Sequence, residues 1–315
     1  MGQPLAVSVV VTNYNYREFV AEAVDAALAQ TRTAREVIVV DDGSIDGSPD
    51  ELRARYGSDP RVTLLCGENG GQLAAFQRGL AAATGELVCF LDADDRWGPD
   101  YLAQVAALFE ARADVDFVFS DVRLVGNESG VQGYAREAAD LGYTVLGTWV
   151  RARWYGAPTS ALALRRSLAE RVLDLPDDFV ANWRLSADNC LVFGASMLGA
   201  RKYYLPTGNV DYRIHGRNGW WHQQARMREF AAQFRSRCLI NHYAQRMHLD
   251  TLALDLAKAE FRSRERPTWD DACVYADIAL RGSAPWWKRA ERALAILRRG
   301  MRARRASRAA APTGD

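Results

Sequence analysis

Five short runs rich in β-branched residues, at 7–11, 36–40, 62–65, 87–91 and 117–120, alternate with longer stretches of helical periodicity across the first 120 residues. This alternation marks βα units around a parallel sheet, because a parallel strand can be reached only through a crossover, usually a helix. Helices are expected at about 18–30, 72–83 and 100–112. Another opens at Ser48-Pro49-Asp50-Glu51, where Ser48 can cap, Pro49 suits the first turn and Glu51 can close a capping box. From 121 to 185 Gly and aromatic residues rise and the periodicity places no element. Helical periodicity returns at 187–198, a strand is expected at 209–215, and helices at 224–264, 268–280 and 286–308.

Ligands of such sheets bind outside the carboxyl ends of the strands. Three strand ends carry polar clusters: Thr12-Asn13-Tyr14-Asn15, Asp41-Asp42-Gly43-Ser44 and Asp92-Ala93-Asp94-Asp95. The first is no GxGxxG, and the chain contains no GxxxxGK[ST], which speaks against a dinucleotide enzyme and a P-loop. Acidic strand ends suit a divalent cation as the element that holds phosphate. Asp92 and Asp94 are two apart, so extended backbone points their carboxylates to one side and Asp95 to the other. Two hard oxygen donors leave positions on Mg²⁺ or Mn²⁺ for water and a diphosphate. The plain alternatives are a solvated acidic turn at 92–95 and a steric Asp-Gly turn at 41–43.

Together these clusters resemble the family 2 glycosyltransferases of the GT-A fold, over about residues 5–215. The resemblance rests on four ordered motifs: the strand and Thr-Asn-Tyr-Asn at 7–15, VVDDGSIDGS at 39–48, ENGGQLAAFQRGL at 68–80 and GELVCFLDADD at 85–95. It implies an α/β GT-A domain at 1–215, with a donor half at about 1–120 and an acceptor half at about 121–215. A helical extension follows at 216–282, then a basic amphipathic helix at 283–308 and a flexible tail at 309–315. It also implies inverting transfer of a sugar from a nucleotide-diphosphate sugar, most naturally a UDP-sugar, to a glycan or lipid-linked acceptor hydroxyl. Thr12 and Tyr14 would frame the base, Asp42 would accept a hydrogen bond from it, Asp92 would approach the ribose and Asp94 would ligate Mg²⁺ or Mn²⁺. Asp188 matches the position of the single protein base that inversion requires. As an acid at a helix start it has a structural reading too, and the helix dipole would lower its pKa. Tyr212-Arg213-Ile214-His215 is similar to the family's YRxH element, which assigns Arg213 to the diphosphate and His215 to the metal. Where many members carry an Arg-Asn pair after the third strand, this chain has Phe76-Gln77 with Gln72 upstream, which unsettles the donor contacts at 72–78. The processive QxxRW motif is absent, favouring single addition. Trp149, Trp154, Trp183, Trp220 and Trp221 would rim the acceptor side unless they pack in the core, and 156–161 and 216–222 would be mobile loops. The rival readings are a non-catalytic sugar-nucleotide-binding scaffold and a sugar-phosphate nucleotidylyltransferase, although Thr12 to Phe19 lacks the Gly- and Arg-rich loop of the latter.

Charge and cysteine usage bound the partners. Five cysteines without a CxxC pair suggest neither a disulfide framework nor a zinc knuckle. No basic stretch precedes the first apolar run and no run reaches membrane-spanning length, so a cytoplasmic location is expected. The net charge of +1 argues against nucleic acid, yet it is a cancellation. Residues 281–308 carry ten Arg or Lys against Glu291, a net +9, and with Asp315 at −1 this leaves −7 on residues 1–280. Within 286–308, Trp286, Ala290, Ala293, Leu294, Leu297 and Met301 share one helical face. A basic amphipathic helix on an acidic body suggests peripheral docking at the inner, anionic face of a membrane, or alternatively a solvated or partner-bound helix.

Overall fold

The run at 7–11 is buried on both faces, the condition under which a strand of a parallel sheet reads as continuously apolar. The structure is a computed structural model that describes residues 4–216 and 226–309. β1 (Val7–Asn13), α1 (Arg17–Leu28), β2 (Glu36–Asp41), α2 (Ser48–Tyr56), β3 (Val62–Cys66), α3 (Gln72–Ala82) and β4 (Leu87–Asp92) are the expected βα units. After β5 (Arg96–Trp97) and α4 (Tyr101–Ala111) come β6 (Phe117–Phe119), β7 (Val122–Gly126), β8 (Gly130–Gln132), β9 (Ala139–Gly142) and α5 (Val145–Arg151). A 3₁₀ turn, Thr159–Ala161, leads into β10 (Leu162–Arg165), α6 (Arg166–Leu173), α7 (Asp177–Asn182), α8 (Asp188–Met197), β11 (Lys202–Tyr204) and β12 (Val210–Ile214). The C-terminal part holds α9 (Arg226–Arg246), a 3₁₀ segment Thr251–Leu256, α10 (Ala257–Ser263), α11 (Trp269–Leu280) and α12 (Trp286–Ala309).

The main sheet runs β3-β2-β1-β4-β10-β6-β11-β9. β10 lies antiparallel between β4 and β6, and β9 is antiparallel to β11, while the other neighbours pair parallel. A small second sheet, β5-β12-β7-β8, brings the 209–215 segment beside the turn that follows β4.

Three local expectations are corrected. The capping box at Ser48 does not form: Gly47 holds the N-cap position, Ser48 donates both N–H and Oγ–H to Asp46 (3.0 and 2.5 Å), and Glu51 pairs with Arg17. A complete capping box appears instead at Thr268 and Asp271, opening α11. The stretch at 224–264 is not one helix, because His248 takes a left-handed φ of 51° and Asp250 accepts from Leu252 N–H to start a new segment. The third concerns 156–161, expected as a mobile loop. Thr159, Ser160 and Ala161 are buried and hydrogen-bonded, which marks a stable part of the fold.

The main core joins the sheet to α3, α6 and α8, and α9 sends Leu239, Ile240 and Tyr243 into it, so packing does not break at residue 215. Trp183 is buried there, Trp154 remains exposed, and Trp220 and Trp221 lie outside the described residues, as do 217–222 of the expected second loop and 310–315 of the tail. A second core gathers Phe261, Tyr275, Ile278 and Ile296 against Leu146 of α5. There the buried Glu260 carboxylate accepts from Leu146 and Gly147 N–H and from the Tyr275 hydroxyl, holding the start of α5. No described helix is long and apolar enough to cross a membrane.

Candidate active site

The clusters after β1 and β2 interlock. Asn13 Nδ2 donates to Asp41 Oδ2 (2.7 Å) and Ser44 Oγ (3.2 Å). Ser44 Oγ accepts from Asn15 N–H (2.8 Å), and Asn15 Oδ1 accepts from Ile45 N–H (2.9 Å). Asn15 reaches this position with a left-handed φ of 57°, a conformation asparagine tolerates better than most residues. Much of the two motifs is therefore spent on holding two loops together. Asp42 is buried, and its oxygens accept from Gly70 N–H (2.9 Å), Gly71 N–H (2.7 Å) and the Arg78 guanidinium. It anchors the segment before α3, and any contact with a nucleotide base would be additional to these three. Tyr14 stands 48% exposed at the rim.

The parallel register sets Thr12 opposite Asp92, so Thr12 Oγ donates to Asp92 Oδ1 (3.0 Å). Beyond Asp92 the chain turns, with Asp95 N–H donating to the Asp92 carbonyl (3.0 Å), so the extended geometry expected for 92–95 does not hold and Asp92, Asp94 and Asp95 take different partners. Asp94 Oδ2 lies 3.0 Å from His215 Nε2. Asp95 is buried and accepts from Ser160 Oγ (2.5 Å) and Arg213 N–H (2.9 Å), which ties β12 to the turn. Arg213 Nε donates to the Asp94 carbonyl (2.9 Å), while its guanidinium pairs with Glu22 (2.5 Å) and lies over the Phe19 ring. Arg213 thus braces the turn. His215 packs against Tyr16 and Phe19, which fixes its ring.

Asp94 and His215 fit a divalent cation. Neighbouring donors on an octahedral ion with bonds near 2.1 Å are about 3 Å apart, the separation seen between Oδ2 and Nε2. Among the described residues no group of three His, Cys, Asp or Glu side chains converges, so most positions on such an ion would fall to diphosphate and water.

Gln72, the first residue of α3, links the turn to Asp188. Its Nε2 donates to Asp92 Oδ1 (3.0 Å) and Thr159 Oγ (3.3 Å), and its Oε1 accepts from Ala187 N–H (2.9 Å). The 183–187 segment is further docked on α3 by Gln72 N–H to Arg184 O (2.9 Å), Leu73 N–H to Trp183 O (3.3 Å) and an Arg184–Asn69 contact. Gly71 permits this approach: its φ is +89°, and a Cβ there would stand 2.6 Å from Arg184 Cα. Ser186 adopts a left-handed φ of 58°, an unfavourable backbone state of the kind that collects at functional sites.

Asp188 then opens α8, its Oδ1 accepting from Asn189 N–H (2.9 Å) and Nδ2 (3.2 Å). The expectation of a lowered pKa is corrected, since burial outweighs those bonds and pushes the carboxyl up to about 6. Burial, then the charge of Asp94, push Asp92 up to about 7. The negative charge of Asp188 also bears on Asp92 and Tyr212, so base candidate and acidic turn share one electrostatic environment. Sequence reasoning gave no role in this site to Gln72, Asp95, Glu22 or Ser160. Two of them had a signal, Asp95 as a member of the acidic cluster and Gln72 as a polar residue beside a departure from the family pattern.

An eight-stranded, mostly parallel sheet packed by helices, with an acidic turn after its fourth strand, defines an α/β chain of GT-A type. The Glycosyl transferase family 2 profile matches residues 8–173, and the chain belongs to that family. It is 37% identical over 220 residues to an uncharacterized glycosyltransferase of Nostoc sp., covering 68% of this chain and 66% of that one. It is 34% identical over 134 residues to the amylovoran biosynthesis glycosyltransferase AmsB of Erwinia amylovora, covering 40% and 44%. The chain thus spans less than two thirds of either relative. Among solved structures, S. aureus TarS 1-349 in complex with UDP-GlcNAc superposes with a TM-score of 0.57 at 15% identity, covering 96% of this chain and 92% of that one. That likeness shows a common fold.

Proposed function

We propose that this chain is an inverting glycosyltransferase that moves a sugar, of hexosyl type, from a nucleotide-diphosphate sugar to an acceptor hydroxyl in glycan, polysaccharide or glycolipid assembly. The observation that carries the reading is the Gln72 bridge, which ties the Asp188 segment to the acidic turn. A UDP-sugar is the favoured donor, a choice supported by the TarS structures holding UDP and UDP-GlcNAc.

Asp188 accepts the proton of the acceptor hydroxyl as that oxygen attacks the anomeric carbon from the face opposite the leaving diphosphate. One bond to the new oxygen forms, the bond to the diphosphate oxygen breaks, and the configuration inverts. A pKa near 6 suits this role, because a base works best when its pKa lies close to the operating pH. Asp94 and His215 would hold Mg²⁺ or Mn²⁺, which when bound offsets the charge developing on the departing diphosphate. Thr12 and Tyr14 border the nucleotide side and Asp92 faces the ribose. Arg213 keeps the turn in place through the Asp94 carbonyl and Asp95.

The test is product mass spectrometry on the purified chain with UDP-, GDP- and dTDP-sugars and hydroxyl acceptors, wild type beside Asp188→Asn. Transfer by the wild type alone supports the reading. Nucleotide-sugar binding without turnover by any pair would leave a non-catalytic scaffold, and transfer at wild-type rate by Asp188→Asn would remove Asp188 as the base.

A further inference from the structure

The six residues expected to form one apolar face of α12 are divided by the structure. Ala293 and Leu297, together with Ile296, face the second core. At Gly300 the helix lies so close to α11 that a Cβ would meet Ala272 Cβ at 2.3 Å. Beside this packed face large apolar side chains remain in solvent: Trp286 is 74% exposed, Trp287 55%, Leu294 53% and Met301 43%. Trp287, Leu294 and Met301 follow at intervals of seven, a repeat that drifts only slightly around a helix, so they form one stripe.

The bases of α12 divide the same way. Arg292 pairs with Asp255, and Arg299 donates to the Arg262 and Arg264 carbonyls, so these serve the packing. Arg298, Arg302 and Arg305 are exposed, and heptad geometry sets Arg298 and Arg305 alongside the apolar stripe. The single acid, Glu291, is neutralised by Lys258 at 2.7 Å.

We infer that this outward stripe docks the protein on an anionic phospholipid surface. Trp, Leu and Met would enter the interface while the long arginine side chains reach the headgroup phosphates. The charges on the page favour this occupant over a second copy of the chain, because pairing this face with itself would set a net +9 segment against another. They also orient the complex. Residues 1–280 carry a net −7 and would be repelled by the same surface, leaving α12 as the contact. The inference stands apart from the transfer reaction, and its test does not read activity.

The full chain is to be sedimented with vesicles of phosphatidylcholine alone and with phosphatidylglycerol added. Binding is expected only to the anionic vesicles and to weaken as salt is raised. Combined Arg298→Glu, Arg302→Glu and Arg305→Glu substitutions should lower the partition coefficient about a hundredfold or more. Trp287→Ser with Leu294→Ser should weaken binding while retaining its salt dependence. Every substituted side chain is exposed, so circular dichroism should show an unchanged fold. No binding to anionic vesicles, binding indifferent to both variants, or a wild-type dimer that Trp287→Ser dissociates would each overturn the inference.

Discussion

Replacing Asp188 by Asn should sharply slow transfer and at the same time stabilise the protein, and the pH dependence of that gain follows from the burial of the carboxyl. Burial raises the carboxyl from 3.8 to about 6. A group whose pKa is raised on folding contributes stability that is complete below its unfolded pKa and is lost as pH rises through the folded value. At neutral pH the ionised form therefore opposes folding, by up to about 3 kcal/mol for a displacement of this size. Asn has nearly the same shape and keeps an oxygen that can accept from Asn189, so it relieves the penalty without opening a cavity. The variant should gain about 1–3 kcal/mol near pH 8, a rise of several degrees in melting temperature, and almost nothing near pH 4. Transfer should fall by about 10²–10⁴-fold, the usual contribution of a positioned base. Thermal melts across pH and a transfer assay on the same preparation read both effects. An Asn variant that is equally or less stable near pH 8, or that is stabilised alike at both ends of the range, would refute the burial argument. Wild-type transfer would refute the role.

Three further outcomes follow from the same geometry. Gln72→Leu removes a bond to the Asp92 carboxylate and two neutral bonds, so stability should fall by about 2–4 kcal/mol; kcat should drop while the donor KM holds, and a change confined to KM would contradict the positioning role. Asp94→Ala should greatly weaken Mn²⁺-dependent nucleotide binding in calorimetry, and unchanged binding would remove Asp94 from the metal site. Gly71→Ala places a Cβ 2.6 Å from Arg184 Cα at a φ of +89°, so it should cost about 2 kcal/mol or more in denaturant unfolding, and a neutral effect would show that the 183–187 segment can yield.

What could be read from the sequence follows from the range over which each signal acts. Buried strands are continuous apolar runs, and all five strands expected in the first 120 residues appear within two residues of their predicted ends. Polar residues just beyond such runs can only lie at the sheet's carboxyl edge, so Thr12, Asp42, Asp92 and Asp94 were identifiable as a group. β10 was not. Four residues, three of them buried, have no period to display, and their place between β4 and β6 is decided by a return of the chain from far along it. The failed capping box at Ser48 has a different cause: Asp46 and Arg17 compete successfully for the two side chains that would have formed it.

The base candidate shows the same limit more sharply. Sequence placed Asp188 at a helix start and inferred a lowered pKa from the dipole alone, which is correct for an exposed N-terminus. The dipole term is worth about 0.3–1 kcal/mol at a surface site, and enclosure of a carboxylate exceeds that once protein surrounds it on most sides. Enclosure here is produced by contacts between segments about 115 residues apart: Gln72 with Ala187, Arg184 with Asn69, and the glycine that lets them meet. Gln72, upstream of the departure at Phe76-Gln77, supplies an uncharged side chain that donates to Asp92 and accepts from Ala187 at once, a pair of bonds that a side chain with donors only cannot make.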